Sequence, residues 1–315
     1  MNDKIKIFAV TGPTASGKTA LAIELAKELG GEIISCDSMQ IYREMDIGTA
    51  KPTAEELSAA PHHLIDVLPP AAPYSCADYV KDAERAVLDI SSRGKLPIFC
   101  GGTGLYLDRF LRGGNEDCAA TDDKLRKELQ AFADQNGPDA LHARLYELDR
   151  EAAESIHKNN IKRVIRALEI CLVTGEKKSE IDKRNSALSE KYEPCVLTLC
   201  FEKRELLYDR IDRRVDSMIA QGLVEETKRL LEKGVFERSQ TASQAIGYKE
   251  IIPYLEGRAS LEACVDELKR ASRRYAKRQL TWFGSKDYAQ KIYLDERGQL
   301  KTFENIVNIS KKLFK

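Results

Sequence analysis

The run Gly12-Pro13-Thr14-Ala15-Ser16-Gly17-Lys18-Thr19 constrains the fold more than any other part of the chain. It follows an apolar segment, Ile5 to Val10, that reads as a strand. It opens into Ala20, Leu21, Ile23, Leu25, Ala26 and Leu29, apolar positions at helical spacing. Strand, glycine loop and helix in that order form the setting of a Walker A phosphate loop. The glycines let backbone N–H groups turn inward around an anion, and the helix N-terminus adds partial positive charge. Lys18 can reach a terminal phosphate, and the Thr19 hydroxyl suits a magnesium ion. The loop does not say which phosphate compound is held.

Other short strands follow, each ending where chemistry is usually placed. Glu32 to Ser35 reads as a strand that leaves at Cys36-Asp37-Ser38-Met39-Gln40. The carboxyl end of a strand beside a phosphate loop is the common ligand site of an open α/β sheet, so Asp37 is the first candidate carboxylate. The polar stretch from Gln40 to Pro52 is too irregular for a strand and too broken for a long helix. His62 to Asp66 reads as a brief strand. Neighbouring histidines on a strand point to opposite faces, so His62 and His63 make no metal site by themselves. Ser75 caps a helix reaching about Ser92. Leu96 to Cys100 is a further strand, ending in the glycine turn Gly101-Gly102-Thr103-Gly104, which leaves the Thr103 hydroxyl free to meet a ligand.

Composition changes at Gly113-Gly114-Asn115. From Thr121 to about Arg184 the chain is charged and helical, with candidate helices at Asp122 to Ala133, Ala140 to Leu148, Arg150 to His157 and Asn160 to Thr174. An α/β core over 1–115 and 190–315, with a parallel sheet flanked by helices, would then carry an all-helical insertion over 116–189. Lys158, Lys162, Arg163 and Arg166 cluster within that insertion; on local sequence alone this is a solvated face. Cys195 to Phe201 returns the chain to the sheet. In the helix Leu206 to Gln221, Arg210 and Arg214 share a face and could clamp phosphate, or could pair with Asp209, Asp212 and Asp216. The last long helix, Leu261 to Phe283, carries Lys269, Arg270, Arg273, Arg274, Lys277 and Arg278, with Tyr275 and Trp282 interleaved. Basic charge with aromatics suits an RNA backbone.

The formal net charge of the 315 residues is zero, so any nucleic-acid site must be local. No stretch is apolar enough to span a bilayer and no signal peptide is evident, which implies no membrane partner and a cytoplasmic setting. The eight cysteines form no Cys-x-x-Cys pair and read as small buried hydrophobes.

Together these segments resemble the bacterial tRNA dimethylallyltransferase (IPP transferase) family. The match rests on the phosphate loop, Asp37-Ser38-Met39-Gln40-Ile41-Tyr42-Arg43, Met45 to Pro52, and His62-His63-Leu64-Ile65-Asp66. It continues through Gly101-Gly102-Thr103, Arg163 to Glu169, Ala245-Ile246-Gly247-Tyr248-Lys249 and Tyr275 to Phe283. The resemblance covers nearly the whole chain, in order. It implies a P-loop NTPase-like core and transfer of a dimethylallyl group from its diphosphate to the exocyclic amino nitrogen of the adenosine 3′ of the anticodon.

On this resemblance, residues 12–19 cradle the diphosphate, with Mg2+ on Thr19 and Arg210 or Arg214 on the leaving group. Asp37 is the general base, or alternatively the magnesium carboxylate, and Thr103 orients the reacting centre. The tRNA contacts implied are Asp37, Ser38, Met39, Gln40, Thr103, Arg126, Lys162, Arg163, Val164, Ile165, Arg166, Gln244, Ala245, Ile246, Gly247, Tyr248 and Lys249, with the insertion gripping the anticodon stem-loop. A monomer is expected. The cysteine pair of the zinc finger in longer eukaryotic relatives is missing, which points to the bacterial type. The rival readings are a prenyltransferase acting on free adenosine phosphates, a P-loop small-molecule kinase, and an RNA-binding module using the loop as a switch.

Overall fold

The computed structural model describes residues 4–113 and 122–314. Six parallel strands form one sheet: β1 Ile5–Thr11, β2 Gly31–Ser35, β3 His62–His63, β4 Leu96–Gly101, β5 Tyr192–Cys200 and β6 Ala289–Tyr293. Their spatial order is β3-β2-β4-β1-β5-β6, so β1 and β4 lie at the centre. The central strands are continuous apolar runs because parallel strands are covered on both faces. Phe8, Val10, Ile98 and Leu197 are fully buried and pack with Leu21 and Leu25 of helix α1 (Lys18–Leu29).

Register decides where the site falls. Thr11 pairs with Gly101, and Ser35 pairs with Cys100. The chain therefore leaves β1, β2 and β4 at one level, placing Gly12, Cys36 and Gly102 side by side at the carboxyl edge.

Helices α2 (Ala54–Ala59), α3 (Cys76–Ser92) and α4 (Gly104–Arg112) complete the first half. The chain divides into two compact units. The first comprises Met1–Tyr74, Lys81–Asp108 and Glu190–Lys315; the second comprises Ser75–Val80 and Arg109–Ser189. The boundary expected at 115/116, and Cys118, lie outside the described residues.

The second unit holds α5 (Asp123–Leu148), α6 (Arg150–Ser155), α7 (Ile161–Thr174) and α8 (Lys178–Arg184). α5 is broken at Gly137 (φ 81°) before Pro138, which cannot continue the hydrogen-bond ladder. Leu129, Leu141, Leu145, Val164 and Leu168 form this unit's core. The buried Asp149 carboxylate accepts from the Ala152 amide and from the amide and hydroxyl of Ser179, tying α6 to α8.

The rest of the first unit follows β5: α9 (Arg204–Ala220), α10 (Leu223–Glu232), α11 (Val235–Arg238), α12 (Ile252–Leu255), α13 (Leu261–Gly284) and α14 (Phe303–Phe314). A second core cluster there joins Tyr42, Met45, Val215, Leu223, Tyr248 and Leu268.

One expectation changes. The strand expected over His62 to Asp66 stops at His63, because Leu64 and Asp66 take left-handed backbone angles (φ 62° and 56°) incompatible with a ladder. His63 Nε2 lies 2.8 Å from a Glu32 carboxylate oxygen and His62 Nδ1 lies 2.8 Å from the Ala60 carbonyl. β6 and α14 carry no expectation from the sequence. No helix among the described residues is long and apolar enough to cross a membrane.

Candidate active site

The phosphate loop is held from two sides. Gln279 of α13, 5% exposed, accepts a hydrogen bond from the Thr14 amide (2.9 Å) and donates to the Gly102 carbonyl (3.1 Å). Arg210 of α9 donates through Nε to the Ala15 carbonyl (2.8 Å). Ala15 itself sits at φ 62°, a region costly for a residue with a Cβ, and these two clamps hold it there. Gly17 (φ 85°) ends the loop and starts α1, in a conformation that a side chain would strain.

The loop opens on a cavity of about 1040 Å³ whose lining lies wholly in the first unit. Thr14, Ala15, Gly17, Lys18 and Thr19 form its phosphate end. Asp37 to Gln40, Asp46 to Ala50, Gln244 to Gly247 and Lys249 form another wall. Gly12, Pro13 and Ser16 stand behind the lining, in the loop's turn.

Charge in this cavity is uneven. Lys18 Nζ donates to the Pro13 carbonyl (3.1 Å). Burial, with Arg214 adding, lowers its pKa to about 8 against the pull of Cys100 and Asp37. Arg214 is half-buried in the lining. Burial lowers its pKa too, with Asp37 and Glu56 opposing. The carboxylates that could have neutralised these arginines are engaged elsewhere: Asp209 with Arg213, Asp212 with Arg273, and Asp216 with Lys269. Among the described residues neither Arg210 nor Arg214 has a carboxylate in ion-pair range. Two arginines that look equivalent in sequence thus divide: Arg210 braces the loop, and Arg214 lines the cavity without an ion pair among the described residues.

Asp37 is half-buried at the cavity wall. Its Oδ1 accepts from the Met39 amide (2.9 Å), while Oδ2 accepts no hydrogen bond from the described residues. Thr103 fixes the turn, accepting from the Ser38 amide at Oγ1 (3.1 Å) and donating its own amide to the Cys36 carbonyl (3.1 Å). Tyr275 of α13 stands beside both. Burial first, then the Asp37 charge, raises the pKa of its phenol, with Thr103 opposing. Gln40 is saturated: it accepts from Ser35 (3.0 Å) and donates to the Thr49 (3.3 Å) and Ala50 (3.2 Å) carbonyls. It shapes the wall instead of offering a free polar edge.

The insertion residues sort by burial. Val164 and Ile165 are 0% and 7% exposed in the second unit's core, so they set the helix in place and do not meet solvent. Lys162 and Arg163 are exposed, without an ion pair among the described residues. Arg126 and Arg166 are both gripped by the fully buried Glu169, which also accepts from the Asp122 amide (2.7 Å). Tyr248 is fully buried and acts from behind the cavity wall.

Gln279 and Tyr275 lie one helical turn apart and are the site residues whose roles no local motif announces. Their partners are about 170 to 265 residues away. Replacing Gln279 with Leu should leave the buried Gly102 C=O unpaired, at about 1–3 kcal/mol, and the part-buried Thr14 N–H unpaired at a smaller cost. A denaturant midpoint equal to wild type would rule out this brace.

No cluster of three or more His, Cys, Asp or Glu suited to a metal occurs among the described residues. The cavity lining offers the Thr19 hydroxyl at the phosphate end and the Asp37 carboxylate on the adjoining wall. That small set of hard ligands suits magnesium, which keeps waters and takes its remaining ligands from phosphate.

Comparison with known proteins gives this geometry a family. A family model described as IPP transferase matches residues 40–286, and one described as isopentenyl transferase matches residues 5–66. A tRNA dimethylallyltransferase of Halalkalibacterium halodurans is 48% identical over 90% of this chain and 89% of its own. One from Bacillus mycoides is 50% identical over 89% and 87%. The solved tRNA isopentenylpyrophosphate transferase of Bacillus halodurans superposes with a TM-score of 0.71 at 44% identity, covering 99% of this chain and 97% of that one. A eukaryotic dimethylallyltransferase solved acting on tRNA gives 0.77 at 32%, covering 89% and 70%. A parallel α/β sheet with a phosphate loop at its carboxyl edge, matched across nearly its whole length, makes this chain a member of the IPP transferase family.

Proposed function

We propose that the chain transfers a dimethylallyl group from dimethylallyl diphosphate to the exocyclic amino nitrogen of the adenosine 3′ of the anticodon in tRNA, releasing pyrophosphate. The observation that carries this reading is the cavity at the carboxyl edge of the sheet. It brings the phosphate loop, Arg214 and an Asp37 oxygen that accepts no hydrogen bond from the described residues to one space.

The donor's C1–O bond breaks and an N–C1 bond forms. Negative charge grows on the departing diphosphate, where the loop amides, Lys18 and Arg214 stabilise it. Mg2+ held by the Thr19 hydroxyl would supply further charge to the diphosphate. The amino nitrogen loses its proton to Asp37, which Thr103 and the Met39 amide hold in orientation. A loop that elsewhere serves phosphoryl transfer here needs only to hold a leaving group.

To reach the cavity the adenine leaves its stack. Asp37 to Met39, Gln244 to Gly247 and Lys249 receive it, with Gln40 shaping the wall and Tyr248 backing it. The second unit supplies the grip on the anticodon stem-loop. There Lys162 and Arg163 are exposed to meet phosphate, and Arg126 and Arg166 are half-exposed and pre-oriented by Glu169. The setting for such a substrate is the cytoplasm.

Incubation with magnesium, dimethylallyl diphosphate and an anticodon stem-loop RNA should yield adenosine enlarged by one C5H8 unit on nucleoside mass analysis. Prenylated AMP with untouched RNA would move the assignment to free nucleotides. ATP turnover without prenyl donor would move it to a kinase.

A further inference from the structure

Among the buried carboxylates that take no part in the transfer, Glu226 is bonded to two segments of the cavity wall. Glu226 of α10 is 1% exposed, yet no cation lies in ion-pair range of it among the described residues. Its charge is met by dipoles alone. Oε1 accepts from the Ile47 amide (3.0 Å), the Gly48 amide (3.1 Å) and the Tyr248 hydroxyl (2.7 Å). Oε2 accepts from the Asp46 (3.2 Å) and Ile47 (3.0 Å) amides. Burial and the Glu226 charge raise the Tyr248 phenol, so it stays a donor.

The two segments joined in this way are both cavity wall. Asp46, Ile47 and Gly48 line one part, and Gln244 to Gly247 line another. They also touch directly. A Cβ on Gly48 would fall 2.4 Å from the Tyr248 ring, and one on Gly247 would fall 3.1 Å from the Gly48 carbonyl oxygen. Residues 46–48 form no regular element, so nothing in their own backbone pairing fixes this spacing. The carboxylate does so, with hydrogen bonds that charge makes stronger than neutral ones. A pair of apolar side chains could fill the same volume, but three convergent amides need hydrogen-bond acceptors, and the carboxylate supplies two.

We propose that Glu226 is a positioning residue for the acceptor: its carboxylate sets the gap between 46–48 and 245–248 in which the acceptor base is received. The inference rests on the reading of 244–249 as acceptor wall. The donor end stands apart from it, since Gln279 and Arg210 brace the phosphate loop without touching Glu226.

The test is steady-state kinetics of Glu226→Gln with stem-loop RNA as the varied substrate, alongside direct binding of dimethylallyl diphosphate. A glutamine turns its NH2 toward backbone N–H groups, so the wall should spread. KM for RNA should rise about tenfold, in line with one lost charge-assisted contact, while donor Kd and kcat at saturating RNA stay within about threefold. Glu226→Asp should recover part of the KM. Tyr248→Phe removes one donor and keeps the amides; it should raise KM for RNA by about threefold and serves if the first variant fails to fold. Unchanged KM in a folded variant overturns the proposal, as does a donor Kd that worsens in step with KM. Failure of the wild type to modify RNA at all would instead defeat the functional reading on which this rests.

Discussion

Asp37→Ala should lower kcat by about 10²–10⁴, the range for losing a general base, while leaving the Kd for an anticodon stem-loop within about threefold. The reason lies in how the carboxylate is held. One oxygen is fixed by the Met39 amide, and the turn carrying it is pinned by Thr103 to the end of β4. The other oxygen accepts no hydrogen bond from the described residues and is available to a proton. Asp37→Asn keeps the contact to Met39 and the shape, but cannot accept a proton, so it should fall as far as alanine does. This pair also separates the two roles open to Asp37. If the carboxylate chiefly held magnesium, raising the metal concentration should restore much of the rate in Asp37→Asn; a base role predicts no such recovery. Turnover within tenfold of wild type in either variant would remove Asp37 from the proton-transfer step.

What was readable in advance divides along a physical line. The phosphate loop, the strands β1, β2 and β4, and Asp37 at a strand end were legible because each depends on neighbours in sequence: apolar runs, glycine turns and strand-to-helix order. Partnerships across the fold were not. The basic run on α13 looks like an RNA-binding face, yet Lys269 and Arg273 pair with Asp216 and Asp212, and Arg270 and Arg274 with Glu267. Lys277 and Arg278 remain as exposed cations, Arg278 lying 5.5 Å over the Tyr275 ring. Counting charges along a basic run overstates its free charge whenever opposite charges arrive from another element, as Asp212 and Asp216 do, or from the preceding turn, as Glu267 does. The same limit hid Gln279, whose partners lie on two distant glycine turns, and Glu226, which meets residues about 180 positions earlier. Periodicity likewise shows that α7 is amphipathic but not how deep each residue sits; Val164 and Ile165 belong to its buried face, next to the exposed Lys162 and Arg163.

Lys18→Ala should cost about 10²–10³ in kcat/KM, the effect of removing one preorganised stabiliser of transition-state charge, and wild type should show a pH signature that alanine lacks. In the empty site burial lowers Lys18 to about 8. Below that pH the amine is already charged when the donor arrives. Above it the amine is neutral, and binding a diphosphate must take up a proton to restore the ion pair. Donor affinity should therefore weaken as pH rises past about 8, by up to about tenfold per unit while the bound lysine stays protonated. The direction follows from the sign: the anion raises the lysine pKa, so the bound state holds more protons than the free one. Lys18→Arg retains its charge throughout this range and should flatten the profile, though the planar guanidinium will not reproduce the ammonium's point contact with phosphate. Comparing the two variants cancels ionisation of the ligand itself. A wild-type Kd for dimethylallyl diphosphate that stays level from pH 7 to 10 would mean that Lys18 is already charged in the empty site.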